Sequence, residues 1–325
     1  MIDVAALSSL RAVEQHGSVI AAAAALGFTP SAVSQQVKRL ERQAGVPLLE
    51  RVGRGVVLTV HGRHLAEEGA RVLAELESLE ATLHRRSGQV SGTLRLTAFS
   101  TAMRGLVAPV VRDLHAAHPD LRVRLGEREP WDAVEDLAAG RADVGLVHRW
   151  GDVPLAVPDH LRVTPIGLDL ADVIVPAGHR LADRAQVTPH DLVEEEWIAT
   201  PPATICRQWL GRMYDGTGRP PRVAHESMEF ASHLALVEAG LGIALIPRLG
   251  RPPLGAGLRA MPVVDPVPTR SIDALHRRSM ADSPAVRAVL GALAAAAGAV
   301  DQIAASSGVG VTPPTSATTS VTVAR

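Results

Sequence analysis

Residues Thr29–Arg54 read TPSAVSQQVKRLERQAGVPLLERVGR, and this stretch decides the fold of the first part of the chain. Thr29 is a good helix N-cap, because its side-chain oxygen can accept a free N–H of the first turn. Pro30 follows at the first helical position, where a missing N–H costs nothing. On a helical wheel Val33, Val37 and Leu40 fall together, while Ser31, Gln35, Lys38 and Arg42 fall on the opposite side, with Ser34 and Arg39 flanking. Upstream, Ser18 caps a short helix through the Ala21–Ala25 block, and Gly27 stops it as a C′ glycine does. A helix, a glycine turn and a second helix make the helix-turn-helix signature, over about residues 19–38.

A short polar face ending in cations suits a major groove. Serine and glutamine can bond base edges, while lysine and arginine hold phosphates. A polar stripe alone is more often a solvated helix face. The caps, the preceding helix and the basic turn that follows favour DNA. That turn runs Leu48–Leu58, where Gly53 and Gly55 flank Arg54 between two apolar runs. It reads as a β-hairpin, a wing whose tip would carry Arg54 over the DNA backbone or minor groove. Between Phe28 and His64 stand Lys38, Arg39, Arg42, Arg51, Arg54 and Arg63 against Glu41 and Glu50, about +4 in a chain of net charge -1. A local basic patch of this kind is the footprint of a nucleic-acid module.

Residues 60–86 read as one uninterrupted helix. Leu65, Gly69, Val72, Leu76, Leu79 and Leu83 are spaced 4, 3, 4, 3, 4, a mean of 3.5 that matches a coiled-coil seam. The flanking charges Glu67, Glu68, Arg71, Glu75 and Glu77 favour a dimer seam over a helix packed only on its own domain. From residue 92 to about 300, short apolar strands alternate with helices, as in an α/β fold with a mostly parallel sheet. Strand candidates are Leu94–Ala98, Leu121–Leu125, Asp143–Val147, Asp172–Val175, Trp197–Thr200, Ile243–Ile246 and Ile272–Leu275. Helices fit at roughly 101–117, 131–140, 204–215, 228–239 and 283–300. The last stretch, Asp301–Arg325, is rich in Ser, Thr, Pro, Ala and Gly and reads as a disordered tail.

The length of 325 residues implies two or three domains, and 46% hydrophobic residues with a mean hydropathy of +0.13 suffice for packed cores. Aromatics are only 2%, so those cores are aliphatic. Cys206 is the one cysteine, which excludes an intramolecular disulfide and fits a reducing cytoplasm. It reads as an inert thiol. No signal-peptide pattern opens the chain, and the longest apolar run, Ala288–Val300, is too short to span a bilayer. The expected location is therefore the cytoplasm, associated with the nucleoid, with no membrane partner. No G-x-S-x-G elbow, P-loop or H-E-x-x-H spacing is present, so no enzyme, metal or cofactor is expected. His115 and His118 read as the exposed end of a helix, and Gly240-x-Gly242 lacks the third glycine of a dinucleotide site.

The segment Thr29–Arg54, with Gly17-Ser18, Ala22-Ala23 and Leu58-Thr59 before the long helix, closely resembles the N-terminal domain of LysR-type transcriptional regulators. The resemblance is specific over residues 2–65 and weaker to about residue 300. Its later echoes are Pro119, Leu137-x-x-Gly140-x-x-Asp143-x-Gly145 and Gly240–Pro247. It implies an all-α winged helix-turn-helix over 1–59, a linker and dimerisation helix over 60–90, and an α/β effector-binding domain over 91–300. That domain would have two lobes in a periplasmic-binding-protein-like arrangement, lobe I at 92–163 and 268–300 and lobe II at 164–267.

Carried over position by position, the DNA contacts fall on Thr29, Pro30, Ser31, Ser34, Gln35 and Lys38, with Arg51 and Arg54 in the wing. Many members carry Gln where this chain has Pro30, and Pro30 cannot make that side-chain hydrogen bond. The dimer contacts fall on Leu65, Val72, Leu76, Leu79 and Leu83. Strand ends and helix N-termini in α/β lobes attract anions, which makes Ser100, Thr101, Thr200, Ser227, Met228 and Glu229 the candidates for an anionic effector. The implied partners are double-stranded DNA, a small-molecule effector, a second copy in a homodimer or homotetramer, and RNA polymerase. The rival reading is a cytoplasmic small-molecule-binding protein without gene control.

Overall fold

The computed structural model describes residues 2–52, 55–87 and 89–305. Three helices lead the chain: α1 (Val4–His16), α2 (Val19–Leu26) and α3 (Pro30–Ala44). Asp3, Ser18 and Thr29 cap their first turns, and Gly17, Gly27 and Gly45 end them in left-handed conformations. A residue with a Cβ is strained there, so these glycines fix where each helix stops. The apolar faces meet in one core built on Leu7, Leu10, Val13, Ala22, Ala23, Val33, Val37 and Leu40. Strands β1 (Leu49–Val52) and β2 (Gly55–Leu58) form an antiparallel hairpin in which Leu49 faces Leu58.

The linker helix α4 (Val60–Ser87) follows at once. The Thr59 hydroxyl accepts the Gly62 N–H at 3.0 Å and donates to the Pro47 carbonyl at 2.8 Å, which ties the helix start to the hairpin. Gly62 cannot be larger, since a Cβ would lie 2.1 Å from the Leu48 carbonyl oxygen.

Next come β3 (Gly92–Ala98), a helical turn α5 (Ser100–Ala102), a π-helical turn at Met103–Val107 and α6 (Ala108–Ala117). They are followed by β4 (Leu121–Glu127), α7 (Pro130–Ala138), β5 (Val144–Trp150) and β6 (Leu161–Pro176). Then come β7 (Glu196–Ala199), α8 (Ile205–Met213), β8 (Arg222–Glu226), α9 (Phe230–Glu238) and β9 (Ala244–Pro247). The series closes with β10 (Leu258–Pro262), β11 (Thr269–Arg277) and α10 (Pro284–Ala305).

The large sheet has the order β10-β6-β11-β5-β3-β4, with β9 also on β6. It is mixed, not mostly parallel as the alternation of strands and helices predicts. In it β3 pairs parallel with β4 and β5, but β6 pairs antiparallel with β9, β10 and β11, as β11 does with β5, while β7 and β8 form a separate parallel pair. The cause is the two-lobed design. β6 carries the chain from one lobe to the other, and β11 brings it back alongside, so their directions must oppose. The first part of β6, Leu161–Leu170, pairs with β11, and Ala171–Pro176 pairs with β9 and β10. One lobe packs β3, β5, α6 and α10 around Leu94, Leu96, Leu106, Leu146, Val286, Val289 and Leu293. The other builds its core on Val173, Val175, Trp197, Leu210, Met213 and Tyr214.

Every predicted strand segment falls on or overlaps an observed strand. The short, partly polar β8 and β10 are additions, because RVAHE and LRAMP give no clear alternation. Helix α10 runs five residues past the predicted start of the tail, through Ala305, as its run of alanines favours. Residues 306–325 of the predicted tail and Gly53 and Arg54 of the predicted wing tip lie outside the described residues. Among the described residues, no helix is long and apolar enough to cross a membrane.

Candidate nucleic-acid interface and ligand cleft

Helix α3 buries Val33, Val37 and Leu40 and turns its opposite face outward. Thr29, Pro30, Ser31, Gln35 and Lys38 are exposed and Ser34 is half-buried. The Thr29 hydroxyl accepts the Ala32 N–H at 3.2 Å and lies 3.0 Å from the Ser31 hydroxyl, so both are held at the helix start. Two neighbours on the helix are diverted to structural work. Arg39 pairs with Asp3, and Gln36 accepts a hydrogen bond from Ser9. Glu41 accepts the backbone N–H groups of Leu48 at 2.9 Å and Leu49 at 3.2 Å, which fixes the hairpin relative to α3. Arg51 is exposed on β1, opposite Val56. The helix face, the hairpin cation and the caps thus sit on one rigid head.

Along α4 the predicted seam divides. Leu65 is half-buried against the head's own core, and Gly69 presses on Leu7, where a Cβ would meet Leu7 Cδ1 at 2.5 Å. Leu65 therefore packs within its own chain, because α4 must close the head's core over α1. Val72, Leu76, Leu79 and Leu83 are 39–56% exposed, a large apolar stripe left open on the distal half of the helix.

Between the lobes lies a cleft whose open space is about 310 Å³. Ser100, Thr101, Thr200 and Met228 line it, brought together from the turn α5 and the segments after β7 and before α9. Ser227 and Glu229 do not. The Ser227 hydroxyl accepts the Glu229 N–H at 3.3 Å, its carbonyl accepts from His233 Nε2 at 2.9 Å, and Glu229 is exposed. Those two residues organise the start of α9. The polar lining that the sequence did not suggest comprises Glu129, His148, Thr204, Cys206 and Arg270, beside Phe99 and Phe230. An adjoining space of about 340 Å³ shares Thr200, Cys206 and Phe230 and reaches Trp150 and His233. Thr204 had a readable signal, as the N-cap of α8; Arg270, an isolated arginine at the start of a strand, had none.

Arg270 is 1% exposed, with its Nε and Nη2 engaged. Its Nε donates to Asp169 Oδ2 at 2.9 Å and its Nη2 to Thr101 Oγ1 at 2.7 Å, with the Phe99 and Trp150 rings 4.9 and 5.6 Å away. Thr200 and Thr204 share a hydroxyl contact of 2.6 Å. Burial holds His148 well below the usual histidine range, so it is neutral, and its Nδ1 has no hydrogen-bond partner. Burial, with the nearby Glu127 and Asp132, raises Glu129 above the usual carboxylate range, and the pull of Arg270 does not offset them. Burial also pushes the Cys206 thiol up to about 11, which keeps it protonated.

A family model described as the LysR substrate binding domain matches residues 87–298. A second, for the bacterial regulatory helix-turn-helix protein of the lysR family, matches residues 4–63. The chain is 30% identical over 225 residues to the HTH-type transcriptional regulator XapR of Escherichia coli (strain K12), covering 69% of this chain and 75% of that protein. It is 28% identical over 231 residues to the HTH-type transcriptional regulator TtuA of Agrobacterium vitis, covering 70% and 74%. Among solved structures, a full-length OxyR variant from Pseudomonas aeruginosa superposes with a TM-score of 0.68 at 19% identity, over 90% of this chain and 98% of that one. Full-length CbnR in complex with its target DNA gives 0.53 at 20% identity, over 91% and 100%.

Proposed function

The chain belongs to the LysR family of transcriptional regulators, and on that premise we propose that it binds a partly palindromic promoter site as a homodimer or homotetramer and answers to a small molecule held between its lobes. The head, residues 1–59, would read DNA through Ser31, Ser34, Gln35 and Lys38, with Thr29 and Pro30 starting the helix and Arg51 and Arg54 on phosphates. Residues 60–90 join it to the effector-binding domain at 91–300. Two heads would place α3 in successive major grooves. The protein acts in the cytoplasm, at the nucleoid.

One observation carries this reading: a capped helix presents exposed Ser31, Gln35 and Lys38 beside a hairpin that exposes Arg51, on a head joined by one helix to a two-lobed cleft. The exposed stripe of Val72, Leu76, Leu79 and Leu83 supports dimerisation, since an apolar row of that length on one helix wants a partner. The two strands that cross between the lobes support effector control, because a ligand that draws the lobes together must bend or slide them. The direct test is a gel shift with the DNA upstream of its own gene. Binding that depends on sequence and falls with salt is expected; its absence at low salt would sink the proposal.

A further inference from the structure

The charges around the cleft specify the effector more closely. Arg270 is the cation among the described residues that line it, and its Nε and Nη2 are already paired with Asp169 and Thr101. A carboxylate entering here would have to share Arg270 with the buried Asp169, a second anion beside the first. Glu129 stands on the same wall, at the N-terminus of α7, where its side chain caps nothing and makes no hydrogen bond or ion pair with the described residues. Glu127 and Asp132 add to the negative field around it, and Arg270 attracts it more weakly than either repels it. His148 faces the same space with a neutral ring and an unpartnered Nδ1, only 2% exposed.

We propose that the cleft binds a small molecule bearing a cationic amine on a compact apolar body, with the amine paired to Glu129 and the body between Phe99 and Phe230. This rests on the reading of the cleft as the effector site and replaces the anionic ligand expected from helix N-termini alone. A half-buried carboxylate without a paired counter-charge is satisfied by a ligand that brings one, and the phenyl faces favour an adjacent cation as well.

The test uses the full chain and pairs of ligands matched in shape: benzylamine against benzoate, and butylamine against valerate. The amines are expected to raise the melting midpoint and their carboxylate twins to leave it unchanged. Glu129→Gln should weaken the amine Kd at least about tenfold, since a partly desolvated charge pair is lost. Glu129→Lys should abolish amine binding and admit the carboxylate twin. Melting without ligand checks that both variants fold. If no amine raises the midpoint, or if a carboxylate does so and Glu129→Gln leaves its Kd unchanged, the amine assignment is overturned. Thr200→Trp, which fills the cleft, separates the two readings. Binding that ignores Glu129→Gln but disappears in Thr200→Trp overturns the amine and keeps the cleft. Binding that survives Thr200→Trp overturns the cleft itself.

Discussion

Arg277, the last residue of β11, grips Glu77 of the linker helix: its Nε lies 3.0 Å from both carboxylate oxygens and its Nη2 2.6 Å from one. The same guanidinium donates to Asp143 at 3.1 Å and to the carbonyls of Leu137 at 3.0 Å and Ala142 at 2.5 Å. The Ser279 hydroxyl also donates to Glu77. Arg270 begins the same strand in the cleft, about 23 Å away at roughly 3.3 Å per residue. One strand therefore touches the ligand space at one end and the helix that carries the DNA-reading head at the other.

If Arg277 is the hub of that junction, its removal should cost more than removal of Glu77. Arg277→Met removes the ion pair to Glu77 and strands the Leu137 and Ala142 carbonyls, while Asp143 keeps Arg95, and it should destabilise the chain by about 2 kcal/mol. Glu77, which is 27% exposed, is partly screened by water, so Glu77→Gln should cost only about 1 kcal/mol. Chemical denaturation of the full chain measures both. Equal losses would show that Arg277 serves Glu77 alone.

On DNA, the two kinds of contact proposed for α3 separate by experiment. Lys38→Ala should weaken binding to all sequences and reduce the slope of log affinity against log salt by about 0.9. Gln35→Ala should leave that slope alone and lose about 1–3 kcal/mol of discrimination at one base pair. Fluorescence anisotropy on operator and scrambled duplexes at several salt concentrations reads both. If the two variants behave alike, the roles are wrongly assigned.

Along the linker helix, Leu76→Asp or Leu79→Asp should turn the oligomer into monomers with little loss of head stability. Leu65→Asp should do the reverse, because Leu65 packs on the head's own core. Sedimentation velocity gives the mass and thermal melting gives the stability. A dimer that survives both Leu76→Asp and Leu79→Asp would remove this face as the interface.

Stability should fall as the solution is acidified. His148 titrates below its ordinary 6.5 because it is buried, and burial likewise lowers His233 and His276. Above that value folded and unfolded chains both hold these rings neutral, and the proton balance is even. Below it the unfolded chain takes up protons that the folded one refuses. The contribution is therefore fully present above the unfolded value and is lost as pH drops towards the folded ones. For the fully buried His148 the slope is about 1.4 kcal/mol per pH unit in that window. Melting midpoints between about pH 7 and about pH 5 should decline, and His148→Phe should flatten part of the decline. A midpoint unchanged across that range would contradict the burial of a neutral ring.

Cys206 should react slowly with thiol reagents. Held up to about 11 where an ordinary thiol sits at 9.0, it carries roughly a hundredfold less thiolate near neutral pH. Alkylation by iodoacetamide, followed by mass spectrometry, should lag a free cysteine by about that factor and speed up with pH. Rapid labelling at neutral pH would show an activated thiol instead.

Much of the head is legible in the chain because its determinants are local. The caps Ser18 and Thr29, the stop glycines Gly17, Gly27 and Gly45 and the proline at position 30 act within one helical turn of where they stand. The outward face of α3 follows from the period of its apolar residues. The seam of α4 is legible only in part. Spacing shows that Leu65 and Leu76 share a stripe, but not that α1 covers one end of it.

The sequence by itself determined most of the order of elements, without β8 and β10, and the head with the outward face of α3, since caps, breakers and periodicity act between neighbours in the chain; the two lobes came from the family resemblance. Only the tertiary structure decided the direction of the crossing strands and the charge of the cleft. Arg270 meets Thr101 across 169 positions, and Arg277 meets Glu77 across 200. No local pattern links such residues. They are joined by the packing of β11 beside β6, and that packing commits Arg270 to Asp169, while Glu129 has no bonded partner among the described residues.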